Sequence, residues 1–266
     1  MAELAAIYVR LVGARIRGDL QYRTSFVLFI TSQFLVAFLD FLAIAIIFSH
    51  VPRLAGWSLA EVMFLYGATN VSFNLADVFI SPVETLPGRV RMGTFDALLT
   101  RPLGPLFQLA TEEFALRRVG KLIQGVVILV LAITRLHVEW TAARVGLTAV
   151  MLIAGAVIFS AIWIATAALN IFTVETTQFG NAFTYGGNFL SQYPIDVYGV
   201  WLRRVFAYLL PIAFVNYFPA LYILGRESSL GVLALRFASP FVALATALVA
   251  AAIWRFAIRH YRSTGS

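Results

Sequence analysis

The sequence predicts an all-α integral membrane protein, and three observations support this prediction. Of the 266 residues, 61% are hydrophobic and only 12% are charged, whereas a soluble domain has about 25% charged residues. Several uncharged stretches reach the roughly 20 residues with which a helix crosses a bilayer. Basic residues cluster at 10–23, 89–121 and 255–262. Because basic loops stay in the cytoplasm, all three clusters should lie there, and the number of crossings should be even.

The N-terminal stretch, residues 1–25, is predicted to form an amphipathic helix at the membrane surface. One face of this helix is apolar, and another carries Arg10 and Arg17. Such a helix buries its apolar face at the boundary between lipid headgroups and acyl chains. An ordinary solvated helix is the alternative.

Six transmembrane helices are predicted, and five windows of the sequence supply them directly: residues 26–48, 62–80, 119–136, the uncharged stretch between Arg144 and Glu175, and 237–254. The sixth crossing must come from residues 176–225, where two windows compete. Hydropathy favours 205–225, although two prolines interrupt it, over the more polar 176–195. Since the count should be even, one window crosses and the other is re-entrant or interfacial. The chain, 1–266, is then a single transmembrane domain.

The sequence lacks the motifs of an ATPase or a hydrolase. A phosphate-binding P-loop needs Gly, four residues and then Gly-Lys-Ser/Thr. The only lysine, Lys121, is followed by Leu122, and Ala115 stands where the first glycine belongs. There is no HExxH or GxSxG motif and no cysteine, and the three histidines are far apart. We therefore expect no enzymatic activity, metal or cofactor in this chain.

The loop at residues 86–109 is predicted to lie in the cytoplasm and to dock on a partner. Thr94 can cap a short helix there, Asp96 falls in its first turn, and Pro102 ends it. The spacing of Phe95, Leu98 and Leu99 predicts an exposed apolar ridge. A short helix with such a ridge, flanked by arginines, is suited to a groove on another protein.

At this loop the sequence resembles the permease subunits of type-2 ATP-binding cassette exporters. The loop after their second span typically has an arginine, a glycine, a small residue, leucines and a proline, here Arg91, Gly93, Thr94, Leu98, Leu99 and Pro102. Further matches are Tyr193-Pro194-Ile195, the stretch from Pro211 to Ala220, and the closing stretch from Trp254 to Ser263. The resemblance covers nearly the whole chain, and the order of the motifs is more specific than any one of them.

The resemblance implies a cytoplasmic coupling helix that contacts an ATPase. The implied docking residues are Arg89, Arg91, Gly93, Thr94, Phe95, Asp96, Leu98, Leu99, Arg101 and Pro102. It also implies that 176–195 is the fifth span and that 196–225 is a re-entrant element on the outer side. ATP and Mg²⁺ would be bound by the partner, a dimer of cytoplasmic ATPases. A second permease chain, identical or related, would complete the complex.

Polar residues within the spans are candidates for a substrate pathway. Asn70, Asn74 and Asp77 fall on one face of the second span, and the fifth contains Asn181 and Asn188. Polar residues in a membrane avoid lipid, so these should face the interior or a partner chain. Hydrogen bonding between helices is the alternative role for them.

These observations predict the membrane-spanning subunit of an exporter for a small amphiphilic, drug-like or lipid-linked substrate. The expected location is the bacterial plasma (inner) membrane, with both termini cytoplasmic and membrane lipid as a neighbour. We expect no nucleic-acid partner, because the positive-inside rule accounts for the basic charge. A secondary transporter or channel is the alternative function, although no internal repeat is present.

The topology can be tested with cysteines, since the native chain has none. We expect Ala2→Cys and Gly265→Cys to resist an impermeant thiol reagent in intact cells and to react after permeabilisation. Labelling of either cysteine in intact cells would refute the six-crossing arrangement with cytoplasmic termini.

Overall fold

A computed structural model describes residues 10, 13–14, 17–18, 21–112, 119–172, 177–205, 210–226 and 233–261. Within these ranges the chain forms helices, 3-10 turns and loops, without a β-strand. Most of the predicted amphipathic helix at 1–25 lies outside the described residues. Arg10 and Arg17, which are described, are helical and exposed.

The described helices follow one another along the chain, with 3-10 turns at Ser81–Thr85, Ile195–Val197, Pro211–Phe214 and Leu233–Phe237. They are α1 (Arg23–His50), α2 (Leu59–Ile80), α3 (Leu86–Arg91), α4 (Phe95–Leu99), α5 (Pro105–Glu112), α6 (Val119–Arg135), α7 (Ala142–Leu169), α8 (Thr177–Ser191), α9 (Val200–Arg204), α10 (Tyr217–Ile223) and α11 (Ser239–His260). The all-α prediction is therefore confirmed for the described residues.

Three of these helices, α1, α7 and α11, are long and apolar enough to cross a membrane. They coincide with the predicted first, fourth and last spans. Helix α2 has 22 residues but a more polar sequence, and α6 has 17 residues. The described α8 has 15 residues, roughly 22 Å of helix against a hydrocarbon core of about 30 Å. The count of six crossings stays a prediction.

Helix α2 lies at the centre of the bundle, and nearly every residue from Val62 to Val78 is buried. It packs against α6 and α7, while α11 packs on α7 and α1 packs on α6. The contact with α6 is close because Gly67 lacks a side chain. A Cβ atom there would lie 2.7 Å from the Leu129 backbone. The main hydrophobic core forms around α2 and extends into the turn at Pro211–Phe214 and α10.

One end of the bundle, here called the cap end, is closed by polar contacts around Asp196. The Asp196 carboxylate accepts hydrogen bonds from Trp57 Nε1 (3.0 Å) and from the Tyr217 hydroxyl (2.9 Å). Arg203 donates to the Asp196 backbone oxygen and lies 3.8 Å from its carboxylate. Arg226 pairs with Glu61 at 2.8 Å and lies over the Trp57 ring. Arg203 and Arg226 thus have carboxylate partners. These ion pairs lower the free-energy cost of placing the two arginines at the predicted outer side.

The described residues just before α10, 210–216, lie inside the bundle and not on the cap end. Asn216 Nδ2 lies within hydrogen-bond distance of Thr69 Oγ1 (2.6 Å), the Ser191 oxygen (2.7 Å) and the Leu65 oxygen (3.2 Å). Thr69 is ten residues into α2, roughly 15 Å from its start. Irregular backbone at this depth is tolerated where protein groups satisfy it.

This segment bears on the choice between the two competing windows. Residues 205–225 contain, where described, only the turn at Pro211–Phe214 and the seven-residue α10, each too short to cross a bilayer. Residues 176–195 contain α8, a continuous helix. The geometry favours 176–195 as the fifth span and a re-entrant role for 196–225, and both assignments stay predictions.

The Asn216 contacts lead to a stability prediction. Asn216→Ala should lower the free energy of unfolding in detergent by about 1–3 kcal/mol, because buried acceptors lose their donor. Thermal unfolding of the purified chain measures this. Asn188→Ala is the matched control, since the buried Asn188 Oδ1 has no hydrogen-bond partner. An equal loss in both variants would show that the Asn216 contacts add nothing specific.

Candidate coupling surface

The end of the bundle opposite the cap, here called the loop end, has a hydrophobic core of its own. Val83, Leu86, Phe95 and Leu98 of the loop pack with Trp254 and Ala257 of α11. The same cluster includes Leu109 of α5 and Ala167 and Ala168 of α7. The loop after α2 is therefore packed against the ends of two spans and does not project freely from the bundle.

The expected exposure of the apolar ridge is wrong for two of its three residues. Phe95 is 0% exposed and Leu98 is 2% exposed, while Leu99 is 37% exposed. Phe95 packs edge-to-face on Tyr261, just beyond α11, with ring centroids 5.1 Å apart. Burial and the neighbouring Asp96 carboxylate raise the pKa of the Tyr261 phenol. The loop folds back onto the end of α11, and the residues there cover Phe95 and Leu98, which the spacing along α4 alone does not reveal.

The local geometry of α4, the predicted coupling helix, also differs from the prediction at its ends. Helix α4 begins after Thr94, but the Thr94 side chain does not cap it and donates instead to the Arg89 oxygen at 3.3 Å. Asp96 lies in the first turn, as predicted. The helix ends at Leu99, three residues before Pro102. Gly93 has φ +68°, a left-handed conformation that lets the chain turn between α3 and α4.

The face of the loop directed away from the bundle is basic and partly apolar. Its exposed residues are Arg91, Met92, Thr94, Ala97, Leu99, Thr100, Arg101 and Pro102. Met92 is 68% exposed, so this part of the loop presents apolar surface. Of the ten predicted docking residues, Arg91, Thr94, Leu99, Arg101 and Pro102 are on this face. Arg89, whose Nε donates to Thr85 Oγ1 at 3.1 Å, and Asp96 are half-buried.

Two residues that the sequence did not single out hold the loop in place. Buried Gln108 donates from Nε2 to the backbone oxygens of Leu98 (2.9 Å) and Leu103 (2.5 Å), so it satisfies the end of α4. The Glu84 carboxylate accepts from Trp163 Nε1 of α7 at 2.5 Å and from the Tyr185 hydroxyl of α8 at 3.3 Å. Glu84 thus connects the start of the loop to α7 and α8. In the sequence, the position of the Glu84 carboxylate only four residues after α2 could have indicated such a role.

The predicted pathway residues on α2 are buried and bonded within their own helix. Asn70 Nδ2 donates to the Tyr66 oxygen at 2.9 Å, and Asn74 Nδ2 donates to the Asn70 oxygen at 2.7 Å. Asp77 is also buried, whereas Asn181 and Asn188 of α8 are half-buried. None of the five lines the cavity of about 850 Å³ between α7, α8 and α11. Their part in a pathway stays a prediction.

The fold and this surface define a membrane-embedded helical subunit with a folded, basic loop at one end. The family model described as "ABC-2 family transporter protein" matches residues 34–265. The chain therefore belongs to the ABC-2 transporter family, and it is a membrane transport subunit of the permease type. No curated protein and no solved structure matches the chain. The resemblance noted in the sequence is confirmed by the family match.

The Glu84 contacts can be measured by a double-mutant cycle. Glu84→Ala should destabilise the protein by about 1–3 kcal/mol, because the buried Trp163 N–H loses its acceptor. Glu84→Ala combined with Trp163→Phe should cost less than the sum of the two single changes. Unfolding in detergent reports both values, and Glu139→Ala, at an exposed carboxylate, is the control. Additive effects would mean that this hydrogen bond does not contribute to stability.

Proposed function

We propose that this chain is the translocation subunit of an exporter in the bacterial plasma membrane, driven by ATP that a separate subunit hydrolyses. Its substrate would be a small amphiphilic, drug-like or lipid-linked molecule. Membership of the ABC-2 family implies an ATP-binding cassette ATPase as partner. ATP and Mg²⁺ would bind to that ATPase, because the chain has no P-loop.

The observation that carries this proposal is the division of the loop into a buried and an exposed side. The buried side packs on α11 and α7 through Phe95, Leu98 and their neighbours. The exposed side offers Met92 and Leu99 beside Arg91 and Arg101. Apolar side chains in the centre of an interface supply most of its energy, while surrounding charges mainly speed association. We assign the exposed side to the ATPase.

Contact at this face would reach the spans through groups that are already in place. A displacement of α4 would act on α11 through Phe95 and Tyr261, and a displacement of the preceding turn would act on α7 and α8 through Glu84. ATP can favour one arrangement of the spans only if the ATPase binds the two arrangements with different affinity. In this mechanism the permease contributes a pathway and a coupling element, and the partner contributes the chemistry.

A second permease chain is part of the proposal because helix α8 is incompletely covered. Helix α8 packs on α2, α7 and the turn at Pro211–Phe214, and it leaves Tyr185 and Phe189 exposed. A second permease chain packed on this side would cover the two aromatic side chains. Two permeases, identical or related, with two ATPases form the expected complex, with both termini of each permease in the cytoplasm.

The docking assignment predicts the effect of a charge on the exposed face. Leu99→Asp should weaken ATPase binding by about 2 kcal/mol, roughly 30-fold in affinity, because an apolar contact is replaced by an unpaired charge. The measurement is the amount of ATPase that co-purifies with the permease after expression with its neighbouring genes. Leu233→Asp, at an exposed leucine beside the cap end, is the matched control and should retain the ATPase.

Normal membrane insertion of both variants is required for this comparison. Full ATPase association and transport in the double variant Met92→Asp/Leu99→Asp would exclude the loop as the docking site. The ATPase would then have to dock on another part of the chain, whereas a permease that transports without any associated ATPase would favour the secondary-transporter alternative.

A further inference from the structure

A large cavity lies beside the crossing of α7 and α11, toward the loop end. Its volume is about 850 Å³, within the range of roughly 300–1,000 Å³ that is usual for binding sites of small molecules. Four parts of the chain form its walls: α7 and the residues after it, α8 at Gly180 and Phe183, the chain at Leu210 and Pro211, and α11. It is separate from the buried polar face of α2.

The length of the cavity corresponds to one leaflet of a bilayer. Along α7 and the residues after it, the lining runs from Ala161 to Phe172, about 16 Å of chain at helical rise. Half of the hydrocarbon core is about 15 Å. On α11 the lining ends at Ile253, two residues before Arg255. The cavity therefore spans the half of the apolar region nearer the loop end.

The chemistry of the lining excludes a charged occupant inside the cavity. Among the described residues no charged side chain lines it, and the polar side chains that do are Thr166, Asn170 and Thr246. Both threonine hydroxyls donate to carbonyls of their own helices, at 2.9 Å to Ile162 and at 2.9 Å to Val242. An ion placed among these groups would lose its hydration without gaining a partner of opposite charge. A hydrocarbon chain carries no charge, so its entry into the cavity has no such desolvation cost.

The rim of the cavity at the loop end differs from its interior. Asn170 lies at the end of α7, and Phe172 contacts Phe256, whose ring stacks on His260 with centroids 4.2 Å apart. Arg259 and His260 are exposed in the turns of α11 that follow Ile253. Basic side chains in the last turns of α11, beyond an apolar interior, match an amphiphile with one hydrocarbon chain and an anionic headgroup.

We propose that this cavity takes up the hydrocarbon chain of an anionic single-chain amphiphile from the leaflet at the loop end. The chain lies among α7, α8 and α11, and its headgroup lies at the rim near Arg259 and His260. This inference rests on the proposed function, because it names the substrate class of the same permease. It places substrate entry within one permease, away from Asn70, Asn74 and Asp77.

The test uses the full chain, reconstituted without the ATPase in phosphatidylcholine vesicles that contain a long-chain fatty acid with a diazirine in its chain. After illumination, mass spectrometry locates the labelled residues. We expect labelling to concentrate on the cavity-lining residues of α7 and α11. Val249→Trp, which fills the cavity from α11, should reduce that labelling about tenfold, the change expected when about two methylene groups lose their burial.

Leu248→Trp is the matched control because Leu248 is the next residue on α11, is exposed, and does not line the cavity. It should leave the labelling unchanged, and both variants should unfold at the same temperature. A lysophospholipid with an anionic headgroup should compete with the fatty acid, as should a two-chain anionic lipid if membrane lipid is the natural source. A neutral alcohol of equal chain length should compete less than the lysophospholipid does.

Three outcomes would overturn the proposal. The first is labelling spread evenly over all exposed apolar residues, and the second is equal labelling of wild type and Val249→Trp. The third is labelling that leaves the cavity-lining residues of α7 and α11 unmodified while other residues react. Each of them leaves the ATPase-docking result at Leu99 untouched, so failure of this inference and failure of the proposed function are distinguishable.

Discussion

The requirement that buried backbone groups find hydrogen-bond partners governs the arrangement of this bundle. In hydrocarbon an unsatisfied N–H or C=O costs several kcal/mol, so irregular chain survives only where protein groups complete it. The segment after α8 is irregular and enters the bundle. Asn216 meets the backbone oxygens of Leu65 and Ser191, and Thr69 also donates to Ser191. The polar residues of α2 thus make it possible for α8 and the returning segment to lie beside it.

The same requirement explains why α2 is both central and polar. Ser72 donates to the Leu152 oxygen of α7 at 3.0 Å, while Asn70 and Asn74 donate to carbonyls of their own helix. The surrounding helices shield these groups from lipid. Among the described residues Asn74 Oδ1 is buried without a hydrogen-bond partner, so a rearrangement of the helices that brought a donor to it would be favourable.

The loop after α2 is where fold and function meet. Its buried residues form a second core with the ends of α7 and α11, and its outer residues stay available for a partner. A flexible loop could bind an ATPase, but a movement of the ATPase would displace only the loop and not the helices. A loop that shares a core with two spans transfers displacement to them, because packed side chains do not compress easily. The cavity lies between these same two helices and α8, so movement of α11 would change its shape.

Much of the fold could be predicted from the sequence because a helix that crosses a lipid bilayer must be apolar over about 20 residues. Apolar stretches of sufficient length identify α1, α7 and α11, and the ABC-2 family was recognisable from motifs in the loop and near the C-terminus. The candidate coupling surface was only half predictable. The spacing of Phe95, Leu98 and Leu99 shows which residues share a face of α4, but spacing does not reveal what covers that face.

Composition, the positions of arginine and the missing P-loop by themselves determined that this chain is a membrane protein without an ATPase motif, since those properties depend on local chemistry. Only the tertiary structure decided that Phe95 is buried against Tyr261, that Glu84 meets Trp163 and Tyr185, and that a cavity opens between α7, α8 and α11. Each of these contacts joins residues separated by about 80 to 165 positions in the chain. Pairings over such distances arise from how the helices pack together, and the periodicity of one helix carries no information about its neighbour.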